Sequence, residues 1–424
     1  METGASAATL DAPEIRMPTW ATLGGLLAGI ALGIALRGTG GEAFVSTFLG
    51  PVGTLWLHAL QITIVPLVAS LVVTGMMHMA RAARAGRMAL LTLGSFAAIL
   101  VSGAVLAALL MPAILTAFPV PEGTAAGFAL DADAGAIPAL GDFITGFIPT
   151  NIFAAASETA MVPIVLFAAA LALAAMKLNQ PQREMIALFF ASVANAMLVM
   201  IGWVLKVAPI GVFALGAALG AGAGIAAVAT LGHYILAVSS IGFVIFLSAY
   251  VLAAVRVKAG LAAFARAVLP AQAVALSTQS SLASLPPMLA GAKRLGVDDD
   301  TADFVLPMAV TVFRATSPAM NLAVAIYVAY LLGIPVTAGT LVAGVVVASL
   351  TTLGAPSLPG SISFVASIGP IAIAMGVPVA PLAVLVAVEM LPDIMRTVGN
   401  VTMNVAVTGA VDRHTVTATP DSAD

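Results

Sequence analysis

Six polar residues interrupt an otherwise apolar stretch near the C-terminus: Glu389, Asp393, Arg396, Thr397, Asn400 and Asn404. A helix turns about 100° per residue, so the offsets of 4, 7, 8, 11 and 15 from Glu389 fall within one stripe roughly 100° wide. Two acids, one base and three neutral hydrogen-bonding groups therefore face the same way. The chain around them is 61% hydrophobic and only 8% charged. Ionisable groups inside a membrane helix are costly, and they line substrate or ion paths. The stripe reads as such a path. No nucleophile–base arrangement or metal-ligand spacing stands out, so an enzyme is not expected.

The elements that must hold this stripe are membrane helices. A soluble domain carries about 25% charged residues, far more than here, and the mean hydropathy is +1.12. No basic run with interleaved aromatics supports nucleic-acid binding. Cysteine is absent, which excludes disulfides and thiolate chemistry. The first twenty residues lack the basic segment of a cleaved signal peptide, so the first hydrophobic helix is expected to be retained. A span needs about 20 apolar residues. Candidates run at 19–37, 44–79, 88–112, 143–177, 184–221 and 226–255. Three of these are too long for one simple span and must be tilted, broken or extended.

After residue 260 the apolar runs are interrupted at STQSSLASLPP (277–287), FRATSP (313–318) and TTLGAPSLPGSIS (351–363). Irregular backbone at membrane depth is tolerated only inside protein or beside a water-filled cavity. Paired interruptions point to a midplane binding site built from broken helices; kinked helices without function are the alternative. Arg81, Arg84, Arg87, Lys177, Arg183, Arg256, Lys258 and Arg266 sit in or beside short connections, which places those on the cytoplasmic side. The segment 118–142 carries Glu122, Asp131, Asp133 and Asp142 without a base and is expected outside. His58 and His233 read as interfacial or packed histidines, and Met76, Met77 and Met79 as helix packing.

In this order the motifs resemble the dicarboxylate/amino acid:cation symporter family, which includes the glutamate and aspartate transporters. The similarity runs from about residue 15 to 410. It rests on GPVGTLWLHALQITIVPLVASLVVTG (50–75), IPTNIFAAASETAMVPIVLFAAALA (148–172), APIGVFAL (208–215), SSLASLP (280–286), GAPSLPG (354–360) and DIMRTVGNVTMN (393–404). The resemblance implies an all-α polytopic fold with eight transmembrane helices, two re-entrant helical hairpins and an elevator motion. It implies a homotrimer in the lipid bilayer of the cytoplasmic (inner) membrane. Behind a cytoplasmic N-terminus (1–16), residues 17–424 would form one transporter unit. Its scaffold would span about 17–85 and 143–221, and its transport domain about 86–117 and 226–410.

Residue by residue, the resemblance assigns Arg396 to a substrate side-chain carboxylate, which a planar guanidinium binds bidentately. Asp393 falls where the family holds the substrate's ammonium, and Thr397, Asn400, Ser317 and Gly360 at further substrate contacts. Ser280 and Ser281, with the 354–360 tip, would offer backbone N–H groups to the α-carboxylate. An internal Asp393–Arg396 ion pair, i,i+3 neighbours, is the other reading, and the two are compatible if the pair opens for substrate.

The chain departs from the family at its ion sites. The signature N-M-D-G-T is replaced by Phe313, Arg314, Ala315, Thr316 and Ser317, and Asn404 stands at an aspartate position. Hard cations want oxygen ligands, so two of three sodium sites are expected to be degraded; one near Thr311 and Thr351 would persist. Two lost carboxylates offset two absent sodium ions. Arg314 either stands in for the third, pairs with Glu389, or reaches out to the interface. Coupling is therefore expected to be proton-driven or weak, with Glu389 as proton carrier, because a desolvated carboxyl group can exchange a proton near neutrality. No cofactor is expected, and the coupling ion is sodium or a proton. The expected function is symport of acidic amino acids or C4-type dicarboxylates. The alternatives are a sodium-coupled dicarboxylate carrier, a channel-like anion pathway and a non-transporting receptor.

Overall fold

The computed structural model describes residues 18–82, 86–121, 148–354 and 360–416. Helices and turns account for these residues, with no strand among them. A chain this apolar must satisfy its own backbone hydrogen bonds in lipid, and the helix does so within each segment. Among the described residues, six spans are long and apolar enough to cross a membrane: Glu42–Arg81, Arg87–Ala117, Gln180–Lys206, Ala226–Arg256, Leu261–Thr278 and Asp299–Leu331. Shorter apolar helices accompany them.

The first half contains α1 (Thr19–Leu36), α2 (Gly50–Gln61), α3 (Ile64–Ala82), α4 (Arg87–Ala117), α5 (Met161–Ala175), α6 (Gln180–Lys206), α7 (Ala208–Ala223) and α8 (Ala226–Arg256). The overlong runs are broken, as expected. The run at 44–79 opens with a π-helical turn at Val45–Leu49 and breaks again between α2 and α3, where Thr63 Oγ1 donates to the Leu60 carbonyl at 2.8 Å. The run at 184–221 divides at Val207, and Pro209 opens α7 in the first turn, where its missing N–H costs nothing. In the described part of the run at 143–177, which begins at residue 148, the first helix starts at Ile152. Asn151 caps that point by accepting from Phe153 and Ala154 N–H, and a left-handed Thr159 turns the chain into α5.

Close backbone approach fastens α1 to α7. A Cβ on Gly29 would lie 2.2 Å from the Phe213 carbonyl oxygen, and one on Gly220 2.3 Å from that of Ile30. Small residues allow such crossings where lipid offers no hydrophobic drive for association. Trp56 on α2 adds a tie to α6, its Nε1–H donating to the Val204 carbonyl at 3.0 Å.

The second half contains α9 (Leu261–Thr278), α10 (Leu285–Arg294), α11 (Asp299–Val312), α12 (Ser317–Leu331), α13 (Ala338–Gly354), α14 (Gly360–Ala374) and α15 (Met390–Val416). Two of the three interruptions appear where expected, between α9 and α10 and between α11 and α12; the third falls on 355–359, which lie outside the described residues. In an 18-residue apolar stretch of the α11–α12 span 89% is buried, against 22% in the corresponding stretch of α6. The centre of the molecule is therefore α12, wrapped by α4, α8, α13 and α14, and α15 runs beside α8, α9 and α11. One boundary differs from expectation: α15 begins at Met390, and Glu389 occupies the turn ahead of it. The Glu389 carbonyl still accepts from Asp393 N–H at 2.9 Å, so the polar stripe continues unbroken across the helix start.

Candidate functional site

The break between α11 and α12 builds the site. Phe313 is extended and ends α11, and Pro318 lies in the first turn of α12. The freed backbone groups find partners on α15. Asn400 Oδ1 accepts from Thr316 N–H and from Thr316 Oγ1–H, both at 2.9 Å, and the same hydroxyl lies 3.0 Å from the Arg396 carbonyl. A side-chain amide thus replaces the missing helical bonds, as an unwound segment in lipid requires.

One turn away, Arg396 is enclosed. Its Nη2 donates to Glu389 Oε1 at 2.6 Å and its Nη1 to Asn321 Oδ1 at 2.8 Å. Glu389 Oε2 accepts from Tyr234 Oη at 3.0 Å. The third nitrogen, Nε, lies 3.4 Å from Asp393 Oδ1 and makes no hydrogen bond. Glu389, Asp393 and Arg396 are all buried. Taking charges out of water is expensive, and a pair of this kind persists only with good geometry and further hydrogen bonds. Tyr234 and Asn321 supply those bonds.

Arg314 is also buried, 8% exposed, so it does not reach out to an interface. Both oxygens of Glu389 are engaged by Arg396 and Tyr234, and the charges that act on Arg314 are Asp393 and Arg396. Of the roles expected for Arg314, pairing with Glu389 is disfavoured, because Arg396 and Tyr234 already engage both oxygens of that carboxylate. Two guanidinium groups and two carboxylates (Arg314, Arg396, Glu389, Asp393) form a charge-balanced cluster.

The sequence neighbours of Arg314, Phe313 and Ala315, are apolar. The Phe313 ring stacks on Phe96 of α4, with centroids 4.1 Å apart and planes 4° from parallel. Ala315 is fully buried. Asn404 is fully buried too, and neither its Oδ1 nor its Nδ2 has a partner among the described residues. Thr397 turns its hydroxyl back to the Asp393 carbonyl at 2.9 Å. Ser317 Oγ is buried at the start of α12 without a hydrogen bond.

The other expected residues are less gathered. Ser280 and Ser281 lie in the α9–α10 turn, where left-handed Gln279 reverses the chain and Ser280 Oγ accepts from Ala283 N–H. Thr311 and Thr351 hydroxyls donate to carbonyls of their own helices, those of Pro307 and Val347. Gly360 opens α14, while 355–359 of the second tip lie outside the described residues, as do Arg84 and the acidic 122–147 segment. The sequence reading missed Tyr234, Asn321, Thr316 and Phe96. The polar ones were visible as hydrogen-bonding groups in apolar runs, but nothing local names their partners.

The chain is similar to known transporters. The chain is 25% identical over 389 residues to a proton/sodium-glutamate symport protein of Bacillus subtilis, covering 90% of this chain and 88% of that one. It is 27% identical over 396 residues to a proton/glutamate-aspartate symporter of Escherichia coli, covering 91% and 90%. A C4-dicarboxylate transport protein of Pseudomonas aeruginosa is 25% identical over 276 residues, 64% of this chain and 60% of that protein. A model of the sodium:dicarboxylate symporter family matches residues 19–414. The chain is therefore a multi-pass membrane transporter, not an enzyme, and belongs to the sodium:dicarboxylate symporter family.

Proposed function

We propose that this protein is a symporter of acidic amino acids or C4-type dicarboxylates with Arg396 as the carboxylate-binding group. The observation that carries the reading is the asymmetric hold on Arg396. Glu389 and Asn321 fix two nitrogens from behind, whereas the Nε edge has only a 3.4 Å ion contact with Asp393. A ligand carboxylate exchanges with Asp393 at that edge, gaining the parallel hydrogen bonds that guanidinium offers. Asp393, released, then faces the ammonium of an amino acid. Thr397, Asn400, Ser317, the Ser280–Ser281 turn and the tip at Gly360 complete the pocket. Glutamate, aspartate and C4-dicarboxylates named for the relatives fit this chemistry.

The coupling is atypical in this proposal. Phe313 and Ala315 offer no side-chain oxygen to a hard cation, and the Asn400 oxygen is engaged by Thr316. Sodium does not fit that donor set. Arg314 is a tethered positive charge that takes over the electrostatic part of a bound cation, and Glu389 carries the proton if one is moved. Thr311 and Thr351 mark the remaining candidate region for sodium. The proposal includes eight transmembrane helices, re-entrant hairpins at α9–α10 and α13–α14, and a homotrimer in the inner membrane. Its scaffold (about 17–85 and 143–221) guides a transport domain (about 86–117 and 226–410) that moves as an elevator.

The test is uptake of labelled aspartate and succinate into proteoliposomes under a sodium gradient, a proton gradient or neither. Uptake of at least one substrate that persists without sodium is expected. Uptake with undiminished sodium dependence in the absence of a proton gradient overturns the coupling. No uptake of either substrate under any gradient overturns the symporter reading.

A further inference from the structure

A second polar cluster lies at the far end of the bundle from Arg87 and Arg256, the end that the arginine pattern places outside. It joins three helices. His233 of α8 has its Nε2 3.1 Å from the carbonyl oxygen of Phe118, the residue that ends α4. Its Nδ1 lies 3.1 Å from Tyr327 Oη of α12. The Tyr327 hydroxyl also lies 3.1 Å from the Thr230 carbonyl, one turn before His233.

Counting protons decides what this arrangement needs. The carbonyls of Phe118 and Thr230 only accept. A neutral imidazole has one N–H, and Tyr327 has one O–H, so two protons are available for three contacts. If Nε2 carries the proton, it serves Phe118, and Tyr327 must choose between Nδ1 and Thr230. If Nδ1 carries it, the contacts with buried Tyr327 and Thr230 are both kept and only the Phe118 carbonyl, at an exposed residue where water can serve it, is released, so the neutral ring favours this tautomer and lets go of Phe118. Only the doubly protonated ring makes all three bonds at once: Nε2–H to Phe118, Nδ1–H to Tyr327, and Tyr327 O–H to Thr230. We propose that His233 is a proton-operated latch that ties the end of α4 to α8 and α12.

The surroundings leave this role to His233. The titratable residues of α12 are Tyr327 and Tyr330, and the last turn of α4 has none. On its own helix, Tyr234 stands edge-on to Tyr327 at 5.3 Å and is bound to Glu389, which pairs with Arg396. The neighbouring helix α7 carries no titratable side chain. Phe118 is also where the chain leaves α4 on its way to α5, so the latch sets the point from which that connection departs.

Hydrogen exchange on the purified full-length protein tests this without reference to transport. The Phe118 N–H donates to the Ile114 carbonyl at 2.7 Å and reports whether the end of α4 is held. After correction for the intrinsic pH dependence, peptides covering 112–121 are expected to exchange roughly two- to tenfold faster at pH 8 than at pH 5.5, the worth of one net hydrogen bond. His233→Gln is expected to abolish that pH dependence. Tyr327→Phe removes the competing hydroxyl, so a neutral ring can hold Phe118 at either pH, and protection is expected to stay high in both. No pH dependence in the wild type, or its persistence in either variant, overturns the proposal.

Discussion

Replacing Glu389 by Gln isolates the charge of the Arg396 clamp. The amide oxygen still accepts from Arg396 Nη2, while the amide NH2 takes the place of the oxygen that accepted from Tyr234 and must donate to the Tyr234 oxygen instead, so shape and the arginine contact survive. What disappears is the negative charge 2.6 Å from a guanidinium in a site where both side chains are almost wholly buried. The cluster then holds Arg396 and Arg314 against Asp393 alone. Removing one partner of a buried pair destabilises by about 3–5 kcal/mol, and the retained acceptor puts this variant near the lower end. In a chain of this size, that corresponds to a fall in melting temperature of the order of 5 °C. An acidic ligand brings a compensating charge to Arg396, so it should raise the melting temperature of the variant more than that of the wild type. The assay is thermal unfolding in detergent, with and without saturating aspartate or succinate. A variant that melts within about 1 °C of the wild type would refute the reasoning, since a burial cost of this size cannot be hidden.

Asn400→Ala leaves the Thr316 N–H buried without its acceptor and is expected to destabilise by about 2–3 kcal/mol, whereas Asn400→Asp, which keeps an acceptor, should recover part of that; denaturant titration reads both. Phe313→Ala empties one side of the stack on Phe96 and is expected to cost about 3–5 kcal/mol of stability. Arg314→Met removes the tethered cation, and uptake by this variant is expected to become more dependent on added sodium or on low pH; an unchanged ion profile speaks against the role. Gly29→Leu drives a side chain into the Phe213 carbonyl and is expected to undo the packing of α1 on α7, seen as loss of folded protein on size-exclusion chromatography.

The stripe on α15 was legible in the sequence because helical periodicity maps spacing directly onto direction. The breaks at 279–284 and 313–316 were legible because Ser, Thr, Gly and Pro cannot sustain an apolar span. That 184–221 must divide was legible from its length, but the place was marked only by Lys206 and Pro209 within a run that is otherwise apolar. The partners of Arg396 were beyond sequence reasoning for a different reason. Asn321 and Tyr234 lie 75 and 155 residues from Arg396 and Glu389 along the chain, and only packing brings them together. The same applies to Arg314. Pairing with Glu389 was one of the roles open to its charge, and only packing shows that Arg396 and Tyr234 already hold that carboxylate.

The most direct measurement of the central claim is the affinity of purified protein for aspartate and succinate, compared between wild type and Arg396→Ala by calorimetry. Two charged hydrogen bonds to one carboxylate are worth about 3–6 kcal/mol, so the variant should bind roughly 10²- to 10⁴-fold more weakly. Affinity that is unchanged by the substitution would contradict the assignment of Arg396 as the carboxylate-binding group.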